Sequence, residues 1–182
     1  LRDSNDNELA QVLVCRLYPA RALMATVCDA KGADDHTINK LSAFIKESGY
    51  RKVVYKSDQE RSIRSLFEEA FKRSGRQGVN YNPKLEQFIP EASAVGESQS
   101  NGRAESSVRR LEDLVRTYKS ALETRLSTRI ASTHPVFKWM VEHAASVHNR
   151  FVCGPDGRTP YEHVHGQRSR GKLAEFGEQV FY

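Results

Sequence analysis

Two carboxylates stand where carboxylates can do chemistry. Asp58 follows Lys52–Lys56 (KVVYK), a short run of strand composition. The carboxyl ends of strands in open α/β sheets are where ligands gather. Glu105 falls in the first turn of a long amphipathic segment entered from the polar, glycine-bearing stretch GESQSNG, with Asn101 placed to cap it. Carboxylate oxygens are hard ligands of the kind that Mg²⁺ and Mn²⁺ prefer. Each residue also has a plainer role open to it. A strand-end Asp caps a following helix, here one beginning near Glu60, and an acid in a first turn complements the helix dipole.

The elements that must position these two residues can be read from periodicity. Gln11–Leu17 (QVLVCRL) and Ala22–Cys28 (ALMATVC) have strand composition and are separated by Tyr18-Pro19-Ala20-Arg21, which predicts a hairpin. Ile38, Leu41, Phe44 and Ile45 recur at helical spacing, and Gly49 stops that helix. After KVVYK a second helix carries Ile63, Leu66, Phe67, Ala70 and Phe71 on one face. Residues 75–100 form a long polar connection with room for one short strand at Lys84–Ile89. A third helix is predicted over Asn101–Leu126, with Ala104, Val108, Leu111, Leu114, Val115, Tyr118 and Leu122 as its apolar stripe. A fourth starts near Pro135 and buries Phe137, Met140, Val141, Ala144 and Val147, with Trp139 assigned to the core, and Gly154-Pro155 ends it. The tail from Asp156 is turn-rich, and Gln179–Tyr182 has strand composition. This order describes a mixed α/β layer fold.

The chain has 182 residues, a net charge of +5 and a sequence pI of about 9.2. The length suits one domain with a proper core, and the basic balance suits a phosphate-bearing partner. Cys15, Cys28 and Cys153 stand far apart, so neither a CxxC zinc site nor a disulfide framework is suggested. No apolar run is long enough to span a membrane, and no signal peptide is visible. The expected setting is intracellular, nuclear or cytoplasmic. His134, His143, His148, His163 and His165 have no metal-ligand spacing, and His143 and His148 are expected to decorate the surface of the fourth helix.

Taken together, VVYKSDQE and SQSNGRAESSVRRLEDLVR resemble the second-aspartate and glutamate motifs of retroviral and retrotransposon (copia-like) integrase catalytic cores, in the right order and on the expected elements. The hairpin QVLVCRLYPARALMATVCDAKG is similar to the second and third strands of that core. The tail DGRTPYEHVHGQRSRGKLAEFGEQVFY resembles the segment that follows it in copia-like polyproteins. The resemblance covers most of residues 11–182. It implies an α/β, RNase H-like mixed sheet flanked by helices, with a loop over 1–10, a catalytic-core-like domain over 11–153 and a post-core tail, the start of a C-terminal module, over 154–182.

The resemblance further implies metal-dependent polynucleotidyl transfer: DNA end processing and strand transfer, with Asp58 and Glu105 as catalytic and metal-ligating residues and Mg²⁺ or Mn²⁺ as cofactor. Lys56, Gln99, Ser100, Asn101, Arg103, Arg109, Arg110 and Arg116 are the candidate nucleic-acid contacts, DNA (element ends and target) is the partner, and the intact protein is expected to be a homo-oligomer. The interval from Asp58 to Glu105 is longer than the family's, which places an insertion within 75–97. The family's first catalytic aspartate lies on a strand ahead of the hairpin, and Asp3, Asp6 and Asp29 do not match it. The expectation is a fragment without its first strand and first aspartate, with little or no activity alone. The competing reading is a decayed, non-catalytic nucleic-acid-binding module of a retroelement polyprotein.

Overall fold

A computed structural model describes residues 10–28, 34–57, 60–74, 82–92 and 98–179, and of residues 92 and 98–101 the backbone only. It divides the chain into two units, one formed by residues 1–27 with 104–182 and the other by 28–103.

In the first unit, β1 (Gln11–Arg16) and β2 (Leu23–Cys28) are hydrogen-bonded neighbours. Six residues join them, too few for a parallel crossover, so they form a hairpin. Leu17 N donates to Ala22 O at 2.8 Å and Arg21 N to Leu17 O at 2.7 Å to close the turn. Five consecutive residues of β2, Leu23–Val27, are buried. That is the pattern of a strand covered on both faces, and it explains why LMATV lacks polar alternation.

Leu23, Ala25 and Val27 pack with Leu111, Val115 and Leu122 of one helix and Phe137, Met140, Val141, Ala144 and Ala145 of another, the first unit's core. These helices are Ser98–Leu126 and Pro135–Phe151 (α3 and α4 in chain order, below). Asn149 ties the second of them to the hairpin: its Oδ1 accepts from Leu23 N at 2.7 Å and its Nδ2 donates to Leu23 O at 2.8 Å. A last short helix, Pro160–His165 (α5), begins at a reciprocal capping box between Thr159 and Glu162 and ends at Gly166 with φ 71°. The segment beyond it folds back, and Phe176 packs against Tyr118 and His143.

The second unit holds α1 (Asp35–Ser48), β3 (Lys52–Ser57), α2 (Arg61–Ser74) and β4 (Gln87–Ala92). Asp34 caps α1 by accepting from Thr37 N at 2.8 Å, and Gly49, at φ 69°, closes its C-terminus. The Ser42 hydroxyl lies 2.7 Å from Ile38 O and 3.1 Å from Ala70 O, where fully buried Ala70 lets α1 and α2 approach. β3 and β4 pair in parallel from Lys52↔Gln87 to Ser57↔Ala92. Tyr55 stacks on Phe67 (4.5 Å between ring centres) and on Phe88 (4.8 Å), and Phe71 stacks on Phe88 (5.3 Å), fixing α2 to this sheet.

Several sequence-based expectations are corrected. The short strand is 87–92, not 84–89. Residues 82–86 turn instead, with Lys84 N bonded to Asn82 Oδ1 and Glu86 N to Arg51 O. Pro90 is accommodated because β4 pairs, among the described residues, only with β3, so a missing N–H can face the other edge. The third helix starts at Ser98, so Asn101 lies inside it and is not its cap. Nothing in SQSNG breaks a helix outright, since Gly102 costs only about 1 kcal/mol relative to Ala.

Trp139 is 75% exposed. Phe137, Met140, Val141 and Ala144 define the buried face, and at 3.6 residues per turn Trp139 points away from it. Conversely, His148 is 5% exposed and belongs to the buried face of its helix. Helix Pro160–His165 replaces part of what reads as a turn-rich tail. A terminal strand over 179–182 lies outside the described residues except for Gln179, which is in no strand.

Candidate metal and nucleic-acid site

α3 presents three distinct faces. Leu111, Val115 and Leu122 fill the core. Glu105, Arg109, Glu112 and Arg116, spaced at four, three and four residues, form a charged stripe. Arg103 and Arg110, seven residues apart, share a separate flank roughly 140° round the helix from Glu105.

Glu105 is exposed, and no described residue engages its carboxylate, so both oxygens can meet a cation. This donor suits a hard divalent ion. Among the described residues no group of three His, Cys, Asp or Glu side chains could hold a metal. The described residues therefore supply one arm of the expected ligand set. Asp58 lies outside them, as do the side chains of Gln99, Ser100 and Asn101.

The basic candidates separate by their partners. Arg116 is shared between Glu112 (3.4 Å) and Asp113 (3.4 Å) on its own helix, so its charge is largely answered locally. Lys56 sits 3.8 Å from Glu91, its register partner on β4. Arg103 is exposed and already engaged. Arg109 and Arg110 are exposed and have no carboxylate partner among the described residues. These two fit phosphate contacts best.

Sequence reasoning passed over a second polar cluster. Arg21, in the hairpin turn with φ 64°, reaches Asp156 Oδ1 at 2.6 Å and Arg158 O at 3.4 Å. His163 Nε2 lies 2.7 Å from Asp156 Oδ2. The hydrogen bond from Arg21 outweighs the modest desolvation and lowers the Asp156 carboxyl to about 2. The signal was present: Thr159-Pro160-Tyr161-Glu162 is a capping-box sequence, and it anchors the helix that carries His163. Burial, helped by the positive charges of Arg110 and Arg16, lowers His148 below the ordinary histidine range. Burial also lowers His143, with Arg150 adding to it.

This architecture recurs in solved structures. A chain of the simian T-cell lymphotropic virus intasome, determined in complex with PP2A regulatory subunit B56 gamma, aligns with 97% of this chain at a TM-score of 0.62 and 16% identity. The catalytic core domain of BIV integrase aligns with 83% of it at a TM-score of 0.53 and 18% identity. The chain has the fold of a retroviral integrase catalytic core. It spans 55% of the length of the intasome chain and 82% of the BIV core domain. No protein-family model and no curated protein matches it by sequence. The integrase-core fold is thus carried by a chain in which the hairpin and helices α3 and α4 stand in the order the motifs implied, while the parallel pairing of β3 with β4 is seen only in the structure. No helix among the described residues is long and apolar enough to cross a membrane.

Proposed function

We propose that this chain is part of a retroelement integrase core whose activity is metal-dependent polynucleotidyl transfer on DNA. The observation that carries this reading is Glu105, exposed and unengaged by any described residue, near the start of a 29-residue helix in an integrase-core fold. Asp58, at the end of β3 in sequence, is its proposed companion. Mg²⁺ or Mn²⁺, when bound, would supply charge neutralisation at the reacting phosphodiester. The protein's own share is positioning. Glu105 stands on a rigid helix, and Arg109 and Arg110 can hold backbone phosphates from the same helix. That one structural neighbour is a chain of an intasome supports DNA as the partner and assembly into a homo-oligomer.

The test is Mn²⁺ titration followed by paramagnetic broadening in NMR spectra. Broadening should centre on the amides around Asp58 and Glu105 and weaken at least about tenfold in apparent affinity in Glu105→Gln, as removal of one charged ligand from a shared site implies. Broadening that ignores both Asp58→Asn and Glu105→Gln would remove the metal site and leave the non-catalytic nucleic-acid-binding reading. Strand-transfer assays on the same variants report whether activity follows the metal.

A further inference from the structure

We propose that the exposed stretch Arg168–Lys172 is a strap for a nucleic-acid backbone, pinned at both ends and separate from the arginines of α3. The proposal rests on the nucleic-acid reading above and adds to it a second contact site, one that takes phosphates without regard to base sequence.

Arg168, Arg170 and Lys172 alternate along a stretch that is neither helical nor paired with a strand, and all three are exposed. Chain geometry keeps each within about 7 Å of the next, Cα to Cα. No acid occurs from His163 to Ala174, and the acids that flank this interval are engaged. Glu162 accepts from Thr159 N at 2.7 Å and from Arg168 Nε at 2.9 Å. Glu175 faces Arg125 Nη1 at 4.0 Å. Arg170 and Lys172 therefore have no carboxylate partner among the described residues, and their charge is open to an outside anion.

The stretch is held in advance. At its start, Gly166 N donates to Glu162 O at 2.9 Å to close α5, and the bond from Arg168 to Glu162 ties the chain back to that helix. At its end, the Phe176 ring packs against Tyr118 of α3 and His143 of α4, with ring centres 6.1 and 5.2 Å away. Arg125 Nη2 donates to Phe176 O at 3.0 Å. Gly177 comes so close to α3 that a β-carbon there would meet Leu122 Cδ1 at 2.9 Å. A basic segment pinned in this way loses less freedom on binding than a free tail. Pinning also argues against capture as an extended peptide in an acidic groove, where the segment must be free to lie along the groove. A duplex laid across the strap needs no such release. The strap carries no aromatic ring to stack on bases, whereas arginine and lysine suit phosphate oxygens, so its contacts are to the backbone.

The experiment measures binding of the full chain to a short DNA duplex by fluorescence anisotropy, in EDTA and across salt. Arg170→Gln combined with Lys172→Gln, an exposed double change that should leave the circular dichroism intact, should cut the log–log salt slope by about two, equally for duplexes of unrelated sequence. Phe176→Ala keeps every cation but unpins the strap, and should weaken binding about fivefold. A double variant that keeps the parent's slope, while Arg109→Gln combined with Arg110→Gln lowers it, overturns this inference alone and leaves the α3 contacts standing. Parent affinity in Phe176→Ala overturns the pinned strap in favour of a free basic run. Displacement of the duplex by poly-glutamate as readily as by unlabelled DNA overturns the phosphate assignment in favour of an acidic protein partner. A parent chain that does not bind DNA at all overturns the inference together with the nucleic-acid reading.

Discussion

At the scale of single residues, the clearest consequences concern charge held in unusual places. Asp156 is ionised down to about 2 because Arg21 donates to it. Its folded value is below the ordinary 3.8, so its contribution to stability is present above that value and disappears as pH falls through about 2. Gly154 controls this pair. A β-carbon there would sit 1.7 Å from Arg21 Nη1, so Gly154→Ala must displace the guanidinium. The expected outcome is an Asp156 midpoint that moves up toward 3.8, read by carboxyl ¹³C NMR; an unchanged midpoint would show that Arg21 is not its cause. His148 acts in the same direction at higher pH. Its folded value is lowered, so below 6.5 the unfolded chain takes up the proton first and stability declines with falling pH until the folded group also titrates. Urea midpoints measured from pH 7.5 downward should therefore fall earlier for the parent than for His148→Asn, a prediction that an identical pH profile would contradict.

At the scale of elements, α4 is the member whose burial matters most to the first unit. Met140, Val141 and Ala144 are fully buried, and Asn149 supplies both backbone bonds of Leu23. Met140→Ala should cost about 2–5 kcal/mol in chemical denaturation. Thr159→Ala, which removes the α5 capping box, should cost about 1 kcal/mol. A Met140→Ala loss no larger than the Thr159→Ala loss would mean that α4 does not anchor the core.

The elements themselves were largely legible in the sequence. Apolar periodicity predicts α1, α2 and α4 within a few residues, and the strand composition of QVLVCRL and ALMATVC predicts β1 and β2. The failures have definite causes. Trp139 was assigned to the core, although its helical phase puts it nearly opposite Phe137, away from the buried face. Ala104 and Val108 extend the apolar stripe of α3, yet stripe membership does not say how far along the helix a neighbour reaches, and both are exposed. His148 looked like surface decoration because a histidine's polarity outweighed its spacing four residues after Ala144. Of the candidate site, composition could suggest Glu105 and the arginines of α3. It could not show that Arg16, on a distant strand, is carried to Ser107, because that meeting is made by tertiary packing alone.

At the scale of the whole molecule, the division into two units predicts unequal local stability. In the first, β2 is buried on both faces, within a core drawing on β2, α3 and α4. In the second, the β3–β4 pair is covered on its Tyr55–Phe88 side by the aromatic stack with α2. Val54 and Ile89, register partners on its other side, remain 56% and 45% exposed. Two-stranded sheets are marginal unless a hydrophobic face is covered, and amide exchange follows the apolar contacts that must be broken for opening. Both strands of this pair should therefore open without the first unit's core coming apart. Native-state hydrogen exchange should show amides of β3 and β4 about tenfold or more less protected than those of β2 and α4, a gap of roughly 1.4 kcal/mol. Replacing Val54 and Ile89 with Thr should leave that gap in place, since their exposed side chains bury little on folding. Replacing Phe88 with Leu should widen it, because Tyr55, Phe67 and Phe71 all stack on that ring. Equal protection in both units would mean that they unfold as one cooperative body, and the pair β3–β4 would then owe its stability to more than the aromatic stack.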